Sequence, residues 1–265
     1  MIEMFSYEFM QRAFIAGLII AILASVSGTF IVLKRYSMMS ETLAHSALVG
    51  VAVGLVAGYN PMWMAVIVAL ISAWLIEYLR SNFTLYSDAI LAILLSGTLA
   101  MAIIIVSLGG AFNNSLFSYL FGSILSVTKD DIVTISLFGF ISLTSLLVYS
   151  RELYFVAYDE EVAKTSGLKV EFLNYLLISI TAVIIALSIR VVGSLLIGAL
   201  MVIPTASALQ YRVGFLKTIL ISLFIAIIGV VCGMVFSFFF SLPSGATIVL
   251  SVLIIFIFSL VINKQ

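Results

Sequence analysis

The sequence predicts an all-α polytopic bundle that crosses a lipid bilayer eight or nine times. Three observations predict it. Of the 265 residues, 64% are hydrophobic and only 9% are charged, against roughly 25% charged in soluble domains. The mean hydropathy is +1.32. Apolar runs close to the ~20 residues needed to cross a bilayer recur along the whole chain. These runs are continuously apolar and do not alternate, which excludes a membrane β-barrel.

In chain order, spans are expected near Ala13–Leu33, Leu43–Gly58, Pro61–Leu79, Ala89–Leu108, Ile132–Tyr149, Phe172–Ile189, Val192–Leu209, Phe215–Phe240 and Ala246–Ile262. The N-terminal stretch lacks the basic region and small-residue cleavage site of a signal peptide, so the first run is expected to stay as a span. Leu116–Val127 is apolar but too short to cross and reads as a re-entrant or surface helix. Val192–Leu209 holds Gly193, Gly198 and Pro204 and reads as a broken crossing, hence eight or nine. The whole chain, 1–265, is expected to form a single membrane domain. Gly122-Ser123-Ile124-Leu125 and Gly193-Ser194-Leu195-Leu196 look alike but are too short to count as a repeat.

Charge placement predicts orientation through the excess of Lys and Arg in inner loops. With the N-terminus outside, the inner side carries Lys34, Arg35, Arg80, Arg151, Lys164, Lys169, Arg212, Lys217 and Lys264. The outer side keeps Arg12, Lys129 and Arg190, a bias of nine to three. The C-terminus then lies inside. Net charge is zero, which argues against a nucleic-acid partner. Cys232 is the one cysteine, so neither a disulfide frame nor a cysteine metal cluster is available.

The longest polar stretch, Arg151 to Glu171, falls inside. Within it, Asp159-Glu160-Glu161-Val162-Ala163-Lys164-Thr165-Ser166-Gly167-Leu168 reads as a short helix. Acids sit at its start, where the helix dipole favours them, and Gly167 suits a C-terminal cap. Val162 and Ala163 would form a small apolar knob for a groove in another protein. The plainer alternative is a loop helix that only covers the membrane face.

His45 is the single histidine, and Glu41 lies four positions before it. On a helix the two share a face. An imidazole and a carboxylate at the mouth of a span suit a divalent cation, and ionisable groups at membrane depth mark pathways. The alternative is structural: Ser40 as an N-cap, Glu41 as a first-turn acid, His45 as a hydrogen-bonded packing residue. Of the other acids, Asp88 reads as an N-cap, Asp130 and Asp131 as first-turn residues, and Glu77 as a partner of Arg80 three positions on. The ten methionines read as packing, since zinc prefers imidazole, carboxylate and thiolate. There is no Gly-x-x-x-x-Gly-Lys-Ser/Thr loop, so the chain lacks that route to ATP hydrolysis. It also lacks His-Glu-x-x-His and a Ser-His-Asp set, which disfavours an intramembrane enzyme.

The motifs together resemble the membrane permease subunit of bacterial ABC importers for zinc and manganese, the ABC-3 family. Lys34-Arg35-Tyr36-Ser37-Met38-Met39-Ser40-Glu41-Thr42-Leu43-Ala44-His45 resembles that family's basic pair followed by an acid-x-x-x-His run. Phe117 to Val127 is similar to its "YLFG…L.V" segment, and Val192 to Ala208 to its "VG.LL…..IP..TA" segment. Asp159 to Leu168 matches its coupling segment. The likeness runs in order and nearly end to end.

The resemblance implies a type II ABC importer fold in the cytoplasmic membrane of a bacterium. It implies a homodimer of permeases, two cytoplasmic ATPase subunits and an external metal-binding protein. It also implies a transported divalent metal and no permanently bound cofactor. Glu41 and His45 would meet the metal. Asp159, Glu160, Glu161, Val162, Ala163, Lys164, Gly167 and Leu168 would couple to the ATPase. Glu41 departs from the family's usual aspartate by one methylene. Thr42 and Ala44 are closer to the zinc branch, with manganese or iron as the alternative cargo. A chelate permease is a third reading, although a Glu–His pair suits a bare cation better. An ion-gradient carrier is the fourth, disfavoured because the acids cluster at segment ends and not at mid-membrane.

Overall fold

The computed structural model describes residues 6–83, 86–109, 114–123 and 126–262, and among these there is helix and no strand. Eight helices are long and apolar enough to cross a membrane. They are α1 (Glu8–Leu33), α2 (Ser37–Ala57), α3 (Pro61–Asn82), α4 (Ser87–Leu108), α6 (Lys129–Val148), α9 (Val170–Val192), α11 (Phe215–Phe240) and α12 (Ser244–Ile262). Four shorter helices lie between them: α5 (Asn114–Phe121), α7 (Ser150–Tyr158), α8 (Glu160–Thr165) and α10 (Ile197–Leu209).

Small side chains decide which helices lie at the centre. In α1, Ala13, Ala16, Ala21 and Ala24 are fully buried, and a Cβ on Gly28 would collide with the Met201 carbonyl of α10. A Cβ on Gly50 of α2 would collide with the backbone at Met64 of α3. Small residues let backbones meet, which is how helices associate where lipid removes any hydrophobic drive between them. Accordingly α1, α2 and α9 are buried over 72–78% of their apolar windows, whereas α4 and α6 reach only 28%. Those outer helices turn Ile93, Phe140 and Val133 outward, an apolar coat suited to lipid. Met10, Met39, Met62, Met201 and Met234 are buried among apolar neighbours, as expected for packing.

Buried hydroxyls stitch the centre. Ser27 of α1 bonds Thr181 of α9 at 3.1 Å. Thr205 of α10 bonds Ser222 of α11 at 3.1 Å. Thr181 also bonds Leu177 O at 2.8 Å, and Thr205 also reaches Thr29 Oγ1 at 3.4 Å, so these hydroxyls are partnered inside the apolar interior.

The expected broken crossing Val192–Leu209 takes the form of a turn followed by a half-length helix, and through it the chain passes from the Val191 end, where Ser244 lies, to the Lys34 end, where Phe215 packs on Phe30 and Tyr154. α9 ends at Val192, Gly193 takes φ +91°, and α10 begins only at Ile197. Its 13 residues span about 20 Å, short of a ~30 Å hydrocarbon core. Pro204 inside it withholds one N–H from the helix ladder. α5 is likewise too short to cross. Ile124 and Leu125 of the expected surface segment lie outside the described residues, as does Lys264.

The two breaks meet. Ser194 N donates to Tyr119 O at 2.9 Å, Leu195 N to Leu120 O at 3.2 Å and Ser123 N to Arg190 O at 3.2 Å. Ser244 Oγ at the start of α12 donates to Val191 O at 3.1 Å. Backbone groups freed at a break must find partners where water is absent, and each break supplies them to the other. A Cβ on Gly122 (φ +75°) would strike the Val191–Val192 backbone, one on Gly193 would strike the Leu120–Gly122 backbone, and one on Gly245 would strike Val192 O. The two look-alike Gly-Ser segments are therefore contact partners, not a repeat.

Candidate functional site

Glu41 and His45 both lie within α2, which starts at Ser37, several residues earlier than hydropathy alone places the span. The cap and first-turn positions expected for Ser40 and Glu41 in the structural alternative are not the ones observed. The N-cap is Tyr36, without a capping side chain. Ser40 Oγ instead donates back to Ser37 O at 2.8 Å. Glu41 sits in the second turn, beyond the first-turn positions where the dipole favours an acid.

Glu41 is exposed and His45 is 5% exposed. The carboxylate acts electrostatically on the imidazole. His45 Nδ1 is buried without a hydrogen-bond partner. A buried imidazole nitrogen normally finds one, so this atom holds unused ligand capacity.

A groove of about 330 Å³ runs between α2 and α10, lined by Ser37, Ser40, Glu41, Ser194, Gly198 and Ala199. Gly198 lets α10 approach closely: a Cβ there would lie 3.4 Å from Ser40 Oγ and 3.5 Å from Glu41 N. Ser194 Oγ is also buried and unpartnered. Among the described residues, no group of three or more His, Cys, Asp or Glu is placed to hold a metal. Met38, Leu195, Val202 and Ile203 complete the groove, which Glu41 lines; His45, one turn further along α2, is buried behind it and does not line it.

A second polar centre joins the ends of α1, α3, α8 and α9. The Arg80 guanidinium makes a paired contact with Glu77, through Nε to Oε2 at 2.9 Å and Nη2 to Oε1 at 2.5 Å. It makes another with Glu160, through Nη2 to Oε1 at 3.1 Å and Nη1 to Oε2 at 3.3 Å. Asn174 Nδ2 donates to Glu160 Oε1 at 3.0 Å. Lys34 Nζ donates to Asn174 Oδ1 and lies 3.8 Å from Glu160 Oε2. Lys34 and Arg80 stand 5.2 and 5.8 Å from the centroid of the Tyr36 ring, within cation–π range.

Burial sets the protonation here. It lowers the Lys34 ammonium to about 8, against the raising pull of Glu160. It pushes the Tyr36 phenol up to about 12, against the lowering effect of Arg80. Burial alone would raise the Glu160 carboxyl; Lys34 and Arg80 hold it below the usual carboxylate range. The pairing of Glu77 with Arg80 is as the spacing predicts. The role of Glu160 in this centre was not legible, because its partners lie far away in sequence.

The predicted short helix forms as α8. Asp159 Oδ1 caps its start, accepting from Glu161 N at 3.1 Å and Val162 N at 3.0 Å. Gly167 (φ +85°) closes its end, with Leu168 N donating to Ala163 O at 3.2 Å and Gly167 N to Lys164 O at 3.1 Å, a complete Schellman arrangement. The expected two-residue knob is corrected. Val162 is 47% exposed but Ala163 is 0% exposed. In a helix of this length adjacent residues point about 100° apart, so one faces out and the other in. Glu161 and Lys164 stay exposed.

At the opposite end of the bundle, Asp131 forms a capping box with Thr128 and accepts from Arg190 Nη1 at 2.6 Å. It is committed to structure. Asp88 is a first-turn acid of α4, whose N-cap is Tyr86, and not itself the cap.

Eight long apolar helices, a broken passage between α9 and α11, a Glu–His pair on an inner helix and a compact capped helix at one end make up this membrane domain. The ABC 3 transport family model matches residues 6–263; the chain belongs to that family, as a multi-pass membrane permease. It is 35% identical to a probable metal transport system membrane protein of Treponema pallidum, over 95% of both chains. It is 30% identical to the manganese import system permease protein ScaB of Streptococcus gordonii, covering 98% of this chain and 93% of that one. It is 28% identical to the high-affinity zinc uptake system membrane protein ZnuB of Haemophilus influenzae, covering 96% and 97%. The solved structure of PsaBC from Streptococcus pneumoniae in complex with Fab superposes with a TM-score of 0.85 at 30% identity, covering 96% of this chain and 91% of that one.

Proposed function

We propose that the chain is the permease subunit of an ATP-driven importer of a divalent metal, with zinc as the cargo. Its relatives carry names for both zinc and manganese uptake. The donor set favours zinc, since imidazole suits zinc and an all-oxygen set suits manganese. The observation that carries the reading is the unpartnered, buried His45 Nδ1 on the helix face shared with Glu41. Two ligands per chain are too few for a closed tetrahedral zinc site, which suits a site that must release its ion. The end holding Lys34, Arg80 and α8 lies in the cytoplasm, by the charge bias. There α8 meets an ATPase through Val162, with Asp159, Glu161, Lys164, Gly167 and Leu168 shaping the helix around it. An external metal-binding protein delivers the ion at the other end.

Radiozinc uptake by the assembled importer tests this. His45→Ala is expected to abolish most uptake while assembly with the ATPase persists. The decisive variant is His45→Gln, which replaces a hydrogen bond but binds zinc poorly. Loss of uptake there supports the metal path, and full uptake would make His45 a packing residue. A manganese importer would instead show radiomanganese uptake that excess zinc fails to suppress.

A further inference from the structure

Glu160 belongs to the coupling helix by sequence, yet its carboxylate is turned into the membrane part. It bonds Arg80 of α3 and Asn174 of α9 and sits beside Lys34 at the end of α1. Val162, on the other face of the same helix, is the residue left outward. We propose that Glu160 is a positioning residue that transmits movement of α8 to the turn that aims the metal-path helix. The inference rests on the reading of α8 as the ATPase-docking element.

Three observations carry it. First, α8 is closed at both ends by Asp159 and by the Gly167 cap, so it moves as one body. A force on Val162 reaches Glu160 with little loss. Second, the Glu160 cluster converges on the α1–α2 turn. Lys34 ends α1, and Tyr36 lies under both Lys34 and Arg80. The turn between them is tight, with Tyr36 N donating to Ile31 O at 2.9 Å and Arg35 N to Val32 O at 3.0 Å. Arg35 sits there at φ +61°. A non-glycine residue in that region costs about 1–2 kcal/mol, so the turn is held by its surroundings and responds to them. Third, α2 begins directly after this turn, and Glu41 follows Lys34 by seven positions. A shift of the turn therefore rotates or tilts the face that carries Glu41 and His45.

The chemistry also singles out Glu160 from its neighbours. Arg80 also makes a paired contact with Glu77, itself 1% exposed. That pair is the fixed anchor. The Glu160 side chain is 37% exposed, so its bonds to the anchor are the ones that can slacken and re-form as α8 moves.

The test uses the complete importer, permease with its ATPase and metal-binding protein, in proteoliposomes. Glu160→Gln keeps an acceptor for Asn174 but loses the charge facing Lys34 and Arg80. The complex is expected to assemble and hydrolyse ATP, while radiozinc carried per ATP falls about tenfold; Glu160→Asp is expected to recover part of it. Val162→Glu is expected to fail earlier, at assembly with the ATPase. If Val162→Glu assembles and turns over normally, the docking reading fails. If Val162→Glu fails but Glu160→Gln carries metal per ATP as the parent does, docking stands and transmission is overturned. A folding defect in Glu160→Gln leaves a second measurement on the parent residue. Spin labels at Arg35→Cys and Lys164→Cys, on a Cys232→Ser background, are expected to keep one separation in the resting complex and with a non-hydrolysable ATP analogue. A change in that separation would mean α8 moves without the turn, and would overturn the proposal.

Discussion

At the scale of single residues, the two polar centres obey opposite rules. Glu41 is exposed and His45 Nδ1 is buried without a hydrogen-bond partner, which under the proposed function leaves both to a passing ion. Glu41→Asp is expected to retain most zinc uptake, because the charge stays on the same face one methylene further back, whereas Glu41→Ala is expected to lose it; radiozinc uptake per assembled complex reads the difference. The Lys34 cluster is over-partnered and so holds position. Lys34 faces Glu160 from α8, Glu77 and Arg80 from α3 and Tyr36 from its own turn. Its ammonium is lowered to about 8, below the 10.4 of a free lysine. Between those values the unfolded chain binds more protons than the folded one, so this group adds to folding stability as pH rises. The ion pair with Glu160 is lost as pH rises through about 8. Metal carried per ATP is therefore expected to fall as pH passes about 8, and Lys34→Met is expected to be low at every pH and flat across that window.

At the scale of elements, the paired breaks are the most demanding local structure. Gly193 takes φ +91°, ψ +152°, a region open essentially to glycine alone, and a Cβ there would press on Gly122 N and the Leu120–Phe121 backbone. Gly193→Ala is expected to lower stability by more than about 2 kcal/mol, read as thermal unfolding in detergent. Gly58, also at positive φ (+74°) but with open space around its Cβ position, is the control: Gly58→Ala is expected to cost about 1 kcal/mol. The helical elements themselves were legible, since each long span announces its own length. The pairing of the breaks was not. Gly122-Ser123 and Gly193-Ser194 are visible as a likeness, but only the fold shows that each satisfies the other's backbone. Ala163 was misread for a related reason. Six residues are too few for periodicity to say which face is covered.

At the scale of the whole molecule, orientation follows from charge. The nine-to-three bias of Lys and Arg predicts that reporter fusions after Gln265 and in the loop following Gly109 lie on opposite sides of the membrane, the first inside. Reporters on the same side would overturn the passage through Val192–Leu209, whereas Gln265 outside with the Gly109 loop inside would overturn the orientation and place α8 away from any cytoplasmic ATPase.

The amino-acid sequence by itself determined the class of this protein, the helical spans, the family and the two residues nominated for the metal. Those properties are written in local composition, in periodicity and in motifs a few residues long. Only the tertiary structure decided that Val192–Leu209 is a turn and a half-length helix, that His45 Nδ1 is buried without a partner, and that Glu160 faces the membrane part while Val162 faces away. Each of these depends on groups distant in sequence. The Lys34, Arg80, Glu160 and Asn174 that meet at one end of the bundle come from four separate segments. Their meeting is a consequence of packing small-residue helix faces together, which no local pattern records.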